Sequence, residues 1–358
     1  MDHSSACDLF LDFKENTPHS NPQTNTYLGW GECVSKKVTI FAIVIGVLAL
    51  IQLAEAQQAS KVYKVGLLSV ASPTGYARQI EAFRKGLRDL GYVEGKSIVI
   101  EFRWADGNVA RLPELAAELV RLNPDVLVTS GQGNAIAKRA TSTIPIVMAA
   151  STNAVETGLV ASLARPGGNV TGSSSFGREL VAKRLELLKE AFPRLSRVGV
   201  LLPSDSPSNP GLVQALQDAA RSVKAQLQVV EAASSADFER AIATIVTGRA
   251  DALIVADHTV LVAEAERISR LANANRLPVI GFVEIADTGG LMGYGVDFPV
   301  LWHRAASFVD KILRGTKPGD LPVEQPMKFE IVINLKTAKA LGLTIPPSLL
   351  MRADRVIE

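Results

Sequence analysis

The side chains able to do chemistry gather where short apolar runs end. Asp257 and His258 follow "ALIVAD", so they stand at the carboxyl end of an expected strand. An adjacent Asp and His can serve as half of a catalytic pair, contact a ligand, or only shape a loop. No G-x-S-x-G elbow accompanies them, and nothing marks a serine as the nucleophile. His303 lies inside a helical stretch beside Trp302 and Arg304 and reads as structural. Neither H-E-x-x-H nor any clustered ligand spacing appears, so no metal is expected. "TSGQGNAIAK" places Gly131-x-Gly133 between a strand and a helix, but Ile136 stands where a dinucleotide fingerprint needs its third glycine. The P-loop spacing is missing too, and no cofactor is expected. What remains at 131–134 is a backbone that a ligand can approach, with free N–H groups at a helix start suited to a carboxylate, or else a plain tight turn.

These residues are positioned by alternating strands and helices. "KVGLLSVASPTG" at 64–75 returns as "RVGVLLPSDSPS" at 197–208, each a buried-type strand running into a loop. After the first, 76–92 carries Ile80, Phe83, Leu87 and Leu90 at helical spacing and stops at Gly91. "SIVIEFRWA", "DVLVTS" and "IPIVMAAS" read as strands, while "ARLPELAAELVRLNP", "GNAIAKRAT" and "TGLVASLA" read as helices. The second half repeats the order: helix "GLVQALQDAARSV", strand "QLQVVEA", and helix "ADFERAIATIVTG" capped by Ser235 or Asp237. Strand "ADALIVAD", helix "TVLVAEAERISRLANANR" and strand "LPVIGF" follow. Crossover helices imply mostly parallel sheets. After "GGLMGYG" only one helix, "LWHRAASFVDKILRG", and one strand, "KFEIVIN", follow, so the chain crosses back to complete both lobes. The expected organisation is a leader at 1–56, one lobe from 62–174 and 293–322, and another from 175–292 and 323–358. "VTGSSSFG", between the lobes, suits a hinge or a hydroxyl-lined wall. "GNVT" matches a glycosylation sequon at Asn169, too short a pattern to mean much.

The leader differs from the rest. Two lysines precede an apolar run at 38–51, which is short of the roughly 20 residues that a membrane span needs. Ala54-Glu55-Ala56 supplies the small residues of a signal-peptidase site, so export with cleavage after Ala56 is expected; an uncleaved anchor helix is the alternative. The polar stretch before it is long for a signal, and translation is expected to begin near Val34. Cys7 and Cys33 both precede the cleavage point, which leaves a mature chain without disulfide, thiol nucleophile or lipid anchor. A net charge of +2 with no basic block excludes a nucleic-acid surface, and 47% hydrophobic residues suffice for a substantial core.

Several phrases carry a resemblance: "GLRDLGYVEGKSIVIEFRWADG", "RLPELAAELVRLNPDVLV", "GLVASLARPGGNVTG", "GGLMGYG" and "DLPVEQPMKFEIVINLKTAKALGLTIPPSLLMRADRVIE". From 64 to 358 the chain resembles bacterial ABC-transporter substrate-binding proteins, the family that includes tryptophan/tyrosine-type solute-binding proteins. The resemblance implies an α/β fold of two Rossmann-like lobes with parallel sheets joined by a multi-strand hinge, the type I periplasmic-binding-protein architecture. It also implies a periplasmic, non-enzymatic monomer that closes over a small solute and docks on an ABC permease. The chain departs from the pattern where relatives read "GDPV": here "STNAVETGLV" places Asn153 at a common aspartate. "GFVEIADTGGLM" likewise lacks the arginine of the relatives' "REFVEAGGLM". A relative's ligand is therefore not to be copied over.

Open α/β sheets bind ligands at strand carboxyl ends. The expected contacts are Ser69, Tyr76, Gln132, Gly133, Asn134, Ser151, Thr152 and Asn153 from the first lobe, and Asp205, Asp257, His258, Phe282 and Glu284 from the second. Gly133-Asn134 would hold a carboxylate, Asp257 or Glu284 an ammonium, and Tyr76 or Phe282 an apolar body. The expected solute is an amino acid or organic acid. A sensory ectodomain feeding a membrane receptor or kinase is the alternative from another class, and a secreted hydrolase a third.

Overall fold

The structure, a computed structural model, describes residues 61–358 apart from Phe176 and Asp205. The expected signal, its cleavage site, the translation start and the Asp205 contact lie outside the described residues.

The two similar phrases become the first strands of two sheets. The first sheet is built from β1 (Tyr63–Ser69), β2 (Ile98–Trp104), β3 (Val126–Ser130), β4 (Ile146–Ala150) and β5 (Val170–Gly172), in the order β2-β1-β3-β4-β5, all parallel. The second contains β6 (Arg197–Pro203), β7 (Gln226–Ala232), β8 (Ala252–Val255), β9 (Val279–Gly281), β10 (Met292–Gly295), β11 (Glu330–Asn334) and β12 (Arg355–Ile357). Its order is β12-β11-β10-β9-β8-β6-β7, and only β10 and β11 are antiparallel. The run β7-β6-β8-β9-β10 repeats the order of the whole first sheet, which is why the opening recurs. Both central strands, β3 and β8, are buried throughout, as a sheet covered on both faces requires.

The crossover helices in the first half are α1 (Ala77–Asp89), α2 (Leu112–Arg121) and α3 (Gln132–Ala140). Those in the second are α4 (Gly177–Ala191), α5 (Asn209–Val223), α6 (Phe238–Thr247), α7 (Thr259–Ala263), α8 (Ala265–Ala274) and α9 (Val283–Asp287). Three differences from the pattern read above have local causes. Residues 157–164, expected as a helix, are turns: Gly158 has φ +69°, and the Ala161 N–H reaches forward to the Pro166 carbonyl. The single helix expected after β8 breaks at Glu264 into α7 and α8. Ser234, not Ser235, caps the α6 approach, trading hydrogen bonds with Asp237 in a capping box.

The chain passes between the sheets along 173–175, between β10 and α10 (Phe298–Leu313), and along 314–329 before α11 (Leu335–Leu341) and α12 (Pro347–Leu350). Two of these passages run side by side: Ser173 pairs with Glu324, and the Ser174 amide donates to the Glu324 carbonyl at 2.9 Å.

Helix α10 returns to the first sheet and packs on α1 and β4. Trp302 sits edge-on between Tyr76 and Phe83, with ring centroids 5.6 and 6.3 Å away. His303 lies on the exposed side, its Nε2 2.8 Å from the Asp89 carboxylate of α1. The two helices meet closely because Gly86 has no side chain: a Cβ there would lie 2.5 Å from the His303 carbonyl oxygen and 2.8 Å from the Ala306 Cβ. Gly86→Ala is expected to destabilise by about 1–3 kcal/mol, lowering Tm by a few degrees despite alanine's higher helix propensity. An unchanged or raised melting temperature would contradict so close a contact.

Candidate functional site

A cavity of about 310 Å³ lies at the carboxyl ends of β1, β3, β4, β6 and β8, walled by residues from both sheets. That is near the lower bound of small-molecule sites, roughly 300–1,000 Å³. The first half contributes Tyr76, Gly131 and Gln132, Ser151 and Thr152, and one stripe of α3 formed by Ala135, Ile136 and Arg139. The second contributes Pro203, residues 206–208, Leu212, and Asp257, His258 and Thr259. Ser175 and Phe298 come from the crossing segments.

Six of the thirteen expected residues therefore line one cavity: Tyr76, Gln132, Ser151, Thr152, Asp257 and His258. Six others are placed elsewhere, and Asp205 lies outside the described residues. Ser69 is buried below it, where its hydroxyl accepts from the Ala71 amide. Gly133 faces β1, with the Leu68 carbonyl 3.4 Å from where its Cβ would be. Asn134 ties the first sheet together, accepting from Thr129 at 2.6 Å and donating to the Ala150 carbonyl at 3.0 Å. Asn153 adopts φ +52° in the loop after β4 and donates to Glu156. Phe282 is buried behind Phe298, ring centroids 6.2 Å apart, and Phe298 reaches the wall in its stead. Glu284 is buried on α9, away from the lining.

Asp257 has a partner that sequence reasoning missed. Arg184 of α4, 0% exposed, grips it with both arms: one guanidinium nitrogen donates to each oxygen, at 2.9 and 2.8 Å. The same guanidinium donates to the Tyr294 carbonyl of β10 at 2.9 Å and the Val255 carbonyl of β8 at 3.2 Å. A planar fork satisfied on four acceptors can hold a carboxylate, itself 6% exposed, as a fixed part of the wall. His258 begins α7 and its Nδ1 accepts from the Val260 amide at 3.4 Å.

Across the cavity, Gly131 begins α3 with φ +54° and ψ −127°, a region open to glycine alone. No side chain caps this helix, and the first-turn amides of Gln132 and Gly133 have no carbonyl one turn behind them. Gly131 also brings the halves into contact: a Cβ there would stand 2.2 Å from the Thr259 Oγ1. Gly75 does the same at a second point, where a Cβ would meet the Ala263 Cβ at 2.8 Å. Outside the lining, Arg178 of α4 pairs with Glu156, and Arg78 of α1 with Asp287 at 3.3 Å. The signal for Gly131 was present in "GQG". Arg184 left none, since its partner lies 73 residues away.

Tyr76, 2% exposed, is held well above the ordinary phenol range by burial, with the hydroxyls of Thr259 and Ser130 pulling the other way, so it remains a neutral phenol. Among the described residues no group of His, Cys, Asp and Glu could hold a metal ion, and no helix is long and apolar enough to cross a membrane.

Comparison with known proteins bears on this arrangement. Residues 64–357 match the family model described as ABC transporter substrate binding protein. The chain is 32% identical over 283 residues to the tyrosine-binding protein of Clostridioides difficile (strain R20291), covering 78% of this chain and 81% of that one. The structure of the ABC domain from Streptococcus pneumonia in complex with L-Trp superposes with a TM-score of 0.76 at 25% identity, covering 83% of this chain and 100% of that one. A Clostridium difficile substrate binding protein with adhesive properties, in its ligand-free, open structure, superposes with a TM-score of 0.58 at 26% identity, covering 83% and 99%.

Proposed function

This chain belongs to the family of ABC transporter substrate-binding proteins, and on that premise we propose that its cavity closes over one small amphipathic solute, an amino acid or organic acid. In this reading the chain is exported to the periplasm, acts as a monomer without catalysing a reaction, and presents the solute to the permease of an importer. The observation that carries the proposal is a cavity walled by both halves, which touch through glycines at Gly131–Thr259 and Gly75–Ala263. Those contacts belong to a drawn-together pair of lobes. The superpositions support this, because the open, ligand-free relative at 26% identity fits less well than the L-Trp complex at 25%.

The wall divides by chemistry. The first-turn amides of α3, with the hydroxyls of Ser151 and Thr152, suit a carboxylate. Each Asp257 oxygen takes one guanidinium N–H and keeps a lone pair for an ammonium. Tyr76, Ile136, Leu212 and Phe298 enclose an apolar body. A solute touching both walls favours the closed form by its differential affinity, which is all that closure requires.

A thermal-shift screen of amino acids, aromatic acids, dicarboxylates and nucleosides tests this. A solute present at 100 times its dissociation constant adds about 2.7 kcal/mol, and a shift of several degrees is expected from an amino acid or aromatic acid. No shift across the panel, or turnover of a hit, would overturn the proposal.

A further inference from the structure

Glu284 is an anomaly. It is 4% exposed, and neither carboxylate oxygen has a hydrogen-bond partner in the structure. Buried polar groups are nearly always paired, and an unpaired buried carboxylate is among the costliest exceptions. Its position explains how it is tolerated. Glu284 and Asp287 lie three residues apart on α9 and so share a face. Asp287 on that face receives Arg78 of α1 from the other half of the molecule, and Arg355 of β12 from its own. Glu284 thus sits where the first lobe's loop and α1 close against α9.

The charged and titratable groups around it come from every neighbouring element: Tyr76 before α1, Arg78 on α1, Asp297 at the entry to α10, and Asp287 on α9 itself. Behind them stand Glu330 of β11 and Arg355 of β12, the latter engaged with Asp287. Arg78 also points to Asp287, and Asp297 is a second carboxylate with one oxygen unpaired. Among the described residues no cation forms an ion pair with Glu284.

We propose that Glu284 couples lobe closure to proton uptake, so that the closed, solute-holding form carries a protonated Glu284 and the open form an ionised one. The proposal rests on the solute-binding reading above. Burial, which opening relieves, is the chief cause holding the closed-state carboxyl up at about 8, with Asp297 and Asp287 adding to it while its own backbone amide and Arg78 oppose. An opened Glu284 regains water and the ordinary carboxylate range. The group's pKa is therefore raised in the closed form. Closure is unhindered below the open-state value and becomes harder as pH rises through the window up to about 8. A solute would be held more tightly in a mildly acidic medium and released more readily in an alkaline one.

The test is calorimetric titration of the full chain with L-tyrosine and L-tryptophan at pH 5.5, 6.5 and 7.5, where neither probe changes charge. The wild type is expected to weaken by up to about tenfold per pH unit and to take up about one proton per probe bound. Glu284→Gln, similar in shape and unable to titrate, is expected to bind with a flat profile, and more tightly than wild type at pH 7.5. A slope that survives in Glu284→Gln belongs to another group and overturns the proposal. So does a pH-independent wild type, which leaves solute binding itself intact. If neither probe binds either protein at any pH, the amino-acid reading falls and takes this coupling with it.

Discussion

Gly131→Ala is expected to abolish high-affinity solute capture, weakening binding by a hundredfold or more, while both lobes stay folded. Two independent causes act at this residue. The backbone at φ +54° and ψ −127° admits glycine and strains an alanine by about 1–3 kcal/mol. The added methyl would also stand 2.2 Å from the Thr259 Oγ1, which belongs to the opposite wall of the cavity. The clash exists only when the lobes are together, so it penalises the closed form and not the open one. A second substitution separates the causes. Thr259→Ala removes the hydroxyl, leaving the nearest Thr259 atom, its Cβ, 3.3 Å from the new methyl. The double variant should recover much of the lost affinity, while the backbone strain at the start of α3, borne by open and closed forms alike, should appear as a lower Tm in both variants. Calorimetry with the best solute of the screen gives the affinities, and circular dichroism checks the fold. Binding unchanged in Gly131→Ala would mean that the lobes do not meet at this point in the solute-bound form.

The second large effect belongs to stability. Arg184→Met should lower stability by about 3–5 kcal/mol, because it leaves the Asp257 carboxylate buried without its counter-charge. Against a total of roughly 5–15 kcal/mol this is severe, and at about 2–4 °C per kcal/mol for a chain of this order it lowers Tm by some 6–20 °C. Arg184→Lys should rescue little: a single ammonium cannot span two carboxylate oxygens and two carbonyls at once. Replacing both partners, as Arg184→Met with Asp257→Leu, should be milder than Arg184→Met alone, since no uncompensated charge remains. The same pair variant should still lose solute binding, because it removes a polar member of the wall. Equal stability losses for the single and double variants would show that the pair is not coupled.

Much of the fold could be read from local pattern. The paired openings at 64 and 197 became β1 and β6, and the strand order around them repeats, because short buried runs separated by amphipathic helices leave few ways to build a parallel sheet. Helix α4, which precedes β6, escaped notice even though it carries Arg184. Its apolar residues run round several faces, and an arginine among them looks like a solvent residue unless its partner is known. The helix expected at 157–164 failed because its small and apolar residues suit a helix while Gly158 at positive φ does not.

The site was legible where a strand ends and obscure beyond. Gln132, Ser151, Thr152, Asp257 and His258 stand within two or three residues of a strand end, Tyr76 closes the loop after β1, and all six reach the cavity. Asn134, in the first turn of α3, and Phe282, just after β9, lie close by, but which side chain faces the cavity depends on one residue of register. Asn134 points back into the sheet and Phe282 into Phe298. Ser175 and Phe298 were beyond reach of such logic, since they come from the crossing segments, whose approach to the cavity is set by the packing of whole lobes.

The most direct measurement is small-angle X-ray scattering of the purified chain with and without the solute found by the screen. The account predicts a smaller radius of gyration with solute in the wild type and no such contraction in Gly131→Ala. A solute that binds the wild type tightly without any contraction would contradict closure of the two lobes over the cavity.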